Sequence, residues 1–450
     1  MSVPRKKNKE PDSIIEITHR YRAYLTALQE YKAENWLYTL CNLYNSAIKE
    51  RRNAYRAEKK TITYSQQQNA LPLLKDSDPT LKKVHSQVLQ NCLERVDRAY
   101  QKFFEDLKRK KNGEHVKVGY PRLKKLSKYR SFTYPQVWMK QNGELKQVIK
   151  FRQDNNKFGT TMLPGFGEVR IRVHRPLDWR QAKTVTLKRE RSGKWYLCIT
   201  LKTAIEPKLK DNRKSTGIDL GLKKIVNTSD DNYQEHPKFI YRSEARIKRA
   251  QKRLSRKQKG SANYEKQRIK LARLHEKVAN QRRDFLHKLA LWLVVNYSFI
   301  AFERLNIKGM VKNHHLAKAI LDAGWAALIT LTTYKSVMLR GNEVPRVDPQ
   351  YTTQECSKCH RIVPKTLAER VHKCPYCGLK LDRDTNAARN IEQRALEKEN
   401  STNPRAGAAR SHACGDRAST HPTGMGKLGR RSRNPTSGSS GWVTYRKPLP

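Results

Sequence analysis

Between Ile14 and Leu25 apolar and polar residues alternate, the two-residue period of a half-buried strand. The period then lengthens to that of a helix. Trp36, Leu37, Leu40, Cys41, Tyr44 and Ile48 fall on one face, and so do Val88, Leu89, Cys92, Leu93, Val96, Tyr100, Phe103 and Leu107 of a second helix. From Val137 to Lys202 the pattern returns to β. Its clearest hairpin is T-V-T-L-K-R-E, a turn at Arg191-Ser192-Gly193, then K-W-Y-L-C-I-T-L. The early strand and the later sheet together predict one barrel interrupted by a helical insert.

The second half opens on T-G-I-D-L-G-L (Thr216 to Leu222), a short apolar strand broken by Asp219. Tyr241 to Asn296 predicts a long helical stretch interrupted near Gly260-Ser261, with a coiled-coil-like seam of Leu271, Leu274, Val278, Phe285 and Leu289. Its other faces carry Arg249, Lys252, Arg253, Arg256 and Lys257. Leu291 to Glu303 ends in an apolar strand with Glu303 at its carboxyl end. Asp322 is expected to begin a further apolar helix running through Leu339, followed by a strand with Val344 and Val347. N-A-A-R-N-I reads as the start of a last helix. Met1 to Asp12 and the chain past about Asn400 have too little apolar content for a packed core and read as disordered basic segments.

Charge changes this picture. Lys plus Arg number 94 and Asp plus Glu 41, an excess of 53 over 450 residues. That excess implies a polyanion partner, because each phosphate neutralised releases condensed counterions. A membrane surface is the competing partner; no apolar run reaches a span of about twenty residues and no signal peptide is seen. Cys41, Cys92, Cys198 and Cys414 lack pairing logic, as in a reducing compartment. In V-G-Y-P-R-L-K-K-L-S-K-Y-R-S-F-T-Y-P, two readings stand side by side. Tyr120, Tyr129, Phe132 and Tyr134 could stack bases while Arg122, Lys124, Lys125, Lys128 and Arg130 meet phosphates, or the aromatics could pack a sheet.

Candidate chemistry concentrates between Tyr351 and Ile391. Cys356 and Cys359 form one C-x-x-C unit, Cys374 and Cys377 another, and four thiolates so spaced suit one tetrahedral structural zinc ion; a disulfide pair is the alternative. Asp382 and Asp384 follow just before the helix. With Asp219 and Glu303 this makes three acidic positions at the mouths of apolar elements, spaced about eighty residues apart. A lone acid there is usually a cap. Several converging on two magnesium ions are what phosphodiester hydrolysis needs.

G-I-D-L-G-L, L-A-R-L-H-E-K-V-A-N-Q-R-R-D-F-L-H-K-L, F-E-R-L-N-I-K-G-M, D-A-G-W, V-D-P-Q-Y-T-T-Q-E-C-S-K-C and D-T-N-A-A-R-N-I occur in this order from Ser215 to Ile391. In them the chain resembles the nuclease half of the transposon-encoded TnpB proteins, relatives of the type V CRISPR effectors. The resemblance implies an α/β multidomain chain: a RuvC-like RNase H fold with an inserted four-Cys zinc ribbon, preceded by an oligonucleotide-binding-like β-barrel with a helical insert. It implies that Asp219, Glu303 and Asp384 bind Mg2+, Asp384 being preferred to Asp382 because the family's acid lies immediately before x-N-A-A. His360 departs from the family, which usually has Gly after the second Cys. The implied plan is a basic arm (1–12), the first strand of a wedge barrel (13–27), a helical recognition insert (28–110), the rest of the barrel (111–210), nuclease (211–351), zinc ribbon (352–380), nuclease again (381–398) and a basic tail (399–450). The implied function is RNA-guided DNA cleavage in the bacterial or archaeal cytoplasm, on nucleoid DNA, with a guide RNA and double-stranded target DNA bearing a short flanking motif as partners. A nuclease-inactive RNA-guided regulator, a miniature type V CRISPR effector and a transposase accessory protein are the alternatives.

Overall fold

The computed structural model describes residues 14–205, 207–366 and 368–402; the basic arm and the chain from 403 onward lie outside these. The chain divides into two compact units, residues up to 204 with 257–273, and residues 205–256 with those from 274 onward.

The first unit begins with β1 (Ile14–Tyr24) and then leaves its sheet for five helices. These are α1 (Ala27–Glu58), α2 (Tyr64–Asn69), α3 (Leu71–Ser77), α4 (Pro79–Lys82) and α5 (Ser86–Lys111). A capping box at Thr26 and Gln29 starts α1 by satisfying otherwise orphaned N–H groups. The predicted face of α1 is buried as expected. On α5 burial of the apolar face runs from Val88 to Tyr100, while Phe103 is half-buried against Tyr120 and Leu107 is exposed. The chain then returns through β2 (Ser131–Tyr134), a separate hairpin of β3 (Trp138–Gln141) and β4 (Glu144–Gln147), β5 (Lys150–Gln153), β6 (Phe158–Leu163), β7 (Gly167–Arg172), β8 (Ala182–Arg189) and β9 (Trp195–Ala204). Seven strands form one sheet in the order β2-β8-β9-β1-β7-β6-β5, so the first strand of the chain is its middle. Tyr129, Phe132 and Tyr134 are buried, and Trp36 of α1 packs on Phe132 and Phe166. The packing reading of these aromatics therefore holds. Tyr120 alone of the four is exposed.

The second unit is built on β10 (Ser215–Asp219), β11 (Lys224–Thr228), β12 (Tyr233–Glu235), β13 (Phe299–Glu303) and β14 (Arg346–Val347). The first three form an antiparallel meander, and β13 and β14 run parallel to β10 in the order β12-β11-β10-β13-β14. Helices α6 (Phe239–Ser255) and α7 (Ala262–Asn296) separate β12 from β13. After β13 come α8 (Ile307–Met310), α9 (His314–Ala323) and α10 (Trp325–Arg340). Ile218, Ile300 and Phe302 face a core made with Phe285, Leu289 and Leu293 of α7 and Leu328 of α10. The hairpin β15 (Val371–Lys373) and β16 (Lys380–Asp382) leads into α11 (Arg383–Thr402), which covers the opposite face of the sheet with Ile391 and Ala395 on Phe299 and Ala301.

Three expectations need correction here. Asp322 does not begin a helix; it lies at the end of α9, and Gly324, at φ +68°, breaks the chain before α10. It is buried because its carboxylate accepts from Arg282 Nη2 at 2.8 Å and from the Ile240 N–H at 3.1 Å. Val344 precedes β14 instead of lying in it. The last helix continues to Thr402, past the expected start of the tail. By length and composition His314–Arg340 is apolar enough to cross a membrane. Here it is two helices with Ile320, Trp325, Leu328 and Ile329 in the core.

Candidate active site

Strand alternation decides which way the acids point. On β13, Ile300 and Phe302 face the α7 core, so Phe299, Ala301 and Glu303 face α11. On β10 Ile218 faces the same core, leaving Gly217 and Asp219 on the α11 side. Parallel pairing of Ile218 with Phe302 makes Asp219 and Glu303 the next residues on neighbouring strands. Asp384 lies in the first turn of α11, the helix laid against that face. Gly217 permits this: a Cβ there would overlap the backbone of Ala388 and Glu392.

Electrostatics register the convergence. Burial pushes the Asp219 carboxyl up to about 7, and the negative charges of Asp384 and Glu303 add to it, against the Arg383 guanidinium. Burial likewise raises Glu303, opposed by the Thr352 hydroxyl, which donates to Glu303 Oε1 at 2.6 Å. Arg383 Nε and Nη2 each stand 3.4 Å from Asp384 Oδ1. Asp382 is engaged elsewhere, with Lys224 Nζ at 3.1 Å. Asp219 and Glu303 on neighbouring strands and Asp384 beside them, paired with Arg383, are hard oxygen donors of the kind divalent magnesium takes.

The four thiols are gathered more tightly. Their sulfur atoms all lie within 4.8 Å of one another, the one such group of His, Cys, Asp or Glu donors among the described residues. Cys356 and Cys377 are 3.6 Å apart, as are Cys359 and Cys374, far beyond a disulfide bond of about 2.05 Å, and all four are free. The disulfide alternative therefore falls, and the set fits a soft tetrahedral ion. Burial opposes ionisation of Cys374, but the N–H groups of Cys377 and Tyr376, together with the Cys359 and Cys377 thiols, outweigh it and bring the thiol down to about 6. Each knuckle turns on a left-handed residue after its second cysteine, Gly378 at φ +72° and His360 at φ +60°. His360 bears the cost of that conformation while its ring meets Glu355 at 3.2 Å and Gln393 at 3.3 Å.

Reading the sequence alone missed Thr352, Asn386 and Asn390. Asn386 and Asn390 each donate to the Glu355 carbonyl at 2.7 Å, gripping the segment before Cys356. The signal available was two asparagines four apart on one helix face.

Residues 196–314 match the family OrfB_IS605, described as a probable transposase, and 325–391 match the Cas12f1-like TNB domain. The chain is 32% identical over 378 residues to a Streptomyces pristinaespiralis protein named "Putative RNA-guided DNA endonuclease", covering 83% of this chain and 87% of that one. It is 31% identical over 367 residues to a protein of the same description, InsQ of Escherichia coli K12, covering 78% and 85%. In a solved Cas12f1–sgRNA–target DNA complex, the protein matches with a TM-score of 0.54 at 16% identity, covering 82% of this chain and 83% of that one, a likeness of fold.

Proposed function

Because the chain belongs to the TnpB family of transposon-encoded RNA-guided DNA endonucleases, we propose that it cuts double-stranded DNA chosen by a guide RNA, by phosphodiester hydrolysis at Asp219, Glu303 and Asp384. The observation that carries this reading is the shared face of β10 and β13, on which Asp219 and Glu303 are next to each other on neighbouring strands, under the helix that carries Asp384 in its first turn.

The strand order, an antiparallel meander extended by two strands parallel to its first, supports a RuvC-like RNase H fold for the second unit. The seven-stranded sheet interrupted by α1 to α5 supports an oligonucleotide-binding wedge with a recognition insert. Divalent ions such as Mg2+, when bound, supply charge stabilisation for the attacking and leaving oxygens. The chain's own part is to hold three carboxylates on rigid elements so that their oxygens need not be gathered at the moment of reaction. The four thiols would hold Zn2+ with no open position, a structural role. The excess of 53 positive charges binds phosphates without reading bases, so sequence choice is left to base pairing and the flanking motif to the N-terminal unit. This work belongs to the bacterial or archaeal cytoplasm, on nucleoid DNA.

The test uses the protein copurified with its RNA, with Mg2+ and DNA matched to that RNA beside a randomised flanking library. Matched DNA should be cut and mismatched DNA spared. Cutting without regard to the guide would leave a nuclease and remove the guided reading. Binding of matched DNA without cleavage would favour an inactive regulator.

A further inference from the structure

Thr352 opens the T-T-Q-E-C segment, and its hydroxyl donates to Glu303 Oε1 at 2.6 Å with both side chains buried. One hydroxyl carries one proton, and its other acceptor, the Pro349 carbonyl, is farther away at 3.2 Å. A hydroxyl hydrogen bond to a carboxylate at this length is of the strong, charge-assisted kind. The backbone of Thr352 is held as well. Its carbonyl accepts from Asn390 Nδ2 at 2.8 Å, and the same nitrogen reaches the Glu355 carbonyl at 2.7 Å. One helical turn earlier Asn386 donates to that carbonyl at 2.7 Å and accepts from the Ser357 N–H at 3.0 Å. Cys356 lies between those two anchored residues. The segment 352–357 thus ties a sheet acid, the helix of another acid and the first thiol into one framework.

We propose that Thr352 is a positioning residue for Glu303: its hydroxyl, anchored through its own backbone to α11 and the first cysteine knuckle, sets the carboxylate in the geometry that a divalent ion requires. The inference rests on reading Asp219, Glu303 and Asp384 as a divalent-ion site. It gives the cysteine module a second task, since whatever loosens the knuckle also releases Glu303.

The test compares Thr352→Val, Thr352→Ala and Thr352→Ser, with Asp219→Ala and Glu303→Gln alongside, in the full chain loaded with its RNA and zinc. Two readouts are taken: the Mg2+ concentration giving half-maximal cleavage, and Fe2+–ascorbate scission of the polypeptide beside the site, which needs no enzymatic turnover. Thr352→Val and Thr352→Ala should raise the half-saturating Mg2+ by about tenfold, the fold-change expected from losing a hydrogen bond to a charged group. They should also weaken scission near residue 303 while zinc content stays at the wild-type level. Thr352→Ser should restore both readouts. The proposal falls if the variants without a hydroxyl match the wild type in both readouts. It also falls if Thr352→Ser is as impaired as they are, or if neither of them folds, since the role would then be structural alone. If Asp219→Ala and Glu303→Gln cut DNA like the wild type, the carboxylate reading itself fails, a result distinguishable from the failure of Thr352 alone.

Discussion

The backbone N–H of Asp384 donates to Asp382 Oδ1 at 2.8 Å, so one acid of the pair fixes the start of the helix that carries the other. The second oxygen of Asp382 meets Lys224 Nζ at 3.1 Å. Asp382→Ala should therefore keep its chemistry, in line with assigning the metal-facing role to Asp384, but lose about 1 kcal/mol of stability with the cap. Asp382→Asn should keep both. Thermal unfolding beside single-turnover cleavage checks this; a dead Asp382→Asn would reverse the assignment.

Asp219→Ala, Glu303→Ala and Asp384→Ala should each slow cleavage by about a thousandfold or more while RNA and target binding persist. Binding energy is spread over many Lys and Arg contacts and base pairs, whereas the chemistry depends on three oxygen donors. Filter binding and cleavage assays on the same preparations separate the two. A fully active variant would remove that acid from the site.

The pH dependence of stability has a definite sign. The Asp219 carboxyl stands at about 7 in the folded chain against an ordinary 3.8. Between those values the folded chain keeps a proton that the unfolded chain has released, so stability falls as pH rises through that window. In magnesium-free buffer at pH 8, Asp219→Asn should melt about 2–4 °C above the wild type for each kcal/mol relieved. The gain should shrink as pH falls below 7 and vanish near 4, and added Mg2+ should narrow it. Equal melting temperatures at pH 8 would contradict the buried charge cluster.

Gly217→Ala would drive a methyl group into the backbone of α11 and should destabilise the second unit by about 1–3 kcal/mol or more. Gly119→Ala meets nothing within 4 Å and serves as the silent comparison. Cleavage should fall with the first substitution even below its melting temperature, because α11 carries Asp384.

Elemental analysis should find one zinc per chain. Cys374→Ser should lower zinc content and loosen residues 352–390, read as faster amide exchange in that stretch. Because Asn386 and Asn390 hold the segment next to Cys356, cleavage should be lost before RNA binding is. Full activity in a zinc-free protein would refute this.

What the sequence disclosed was local. Asp219 interrupts one apolar run and Glu303 ends another, and the cysteine spacing carries its own geometry. The β8–β9 hairpin announces itself by Gly193, at φ +83°. What it concealed depends on partners far along the chain. Asp322 looked like a helix start because nothing near it says that Arg282, forty residues earlier, waits for its carboxylate. Tyr129, Phe132 and Tyr134 fit a base-stacking surface as well as a core, and only the sheet that buries them decides between these. Thr352 is an ordinary letter until Glu303 is placed beside it.

The middle position of β1 has a consequence for synthesis. Ile14 pairs with Ala204, and Arg22 with both Tyr196 and Arg172. The ribosome therefore makes this strand well before either neighbour exists. At about 5–20 residues per second, the 190 residues that follow Ile14 up to Ala204 take roughly 10–40 s to appear. During that wait the helices of residues 27–111 can form from local contacts, while β1 stays an unpaired ribbon open to other nascent chains. Its interleaved Glu16, His19, Arg20 and Arg22 are suited to keep such a ribbon soluble until translation delivers its partners.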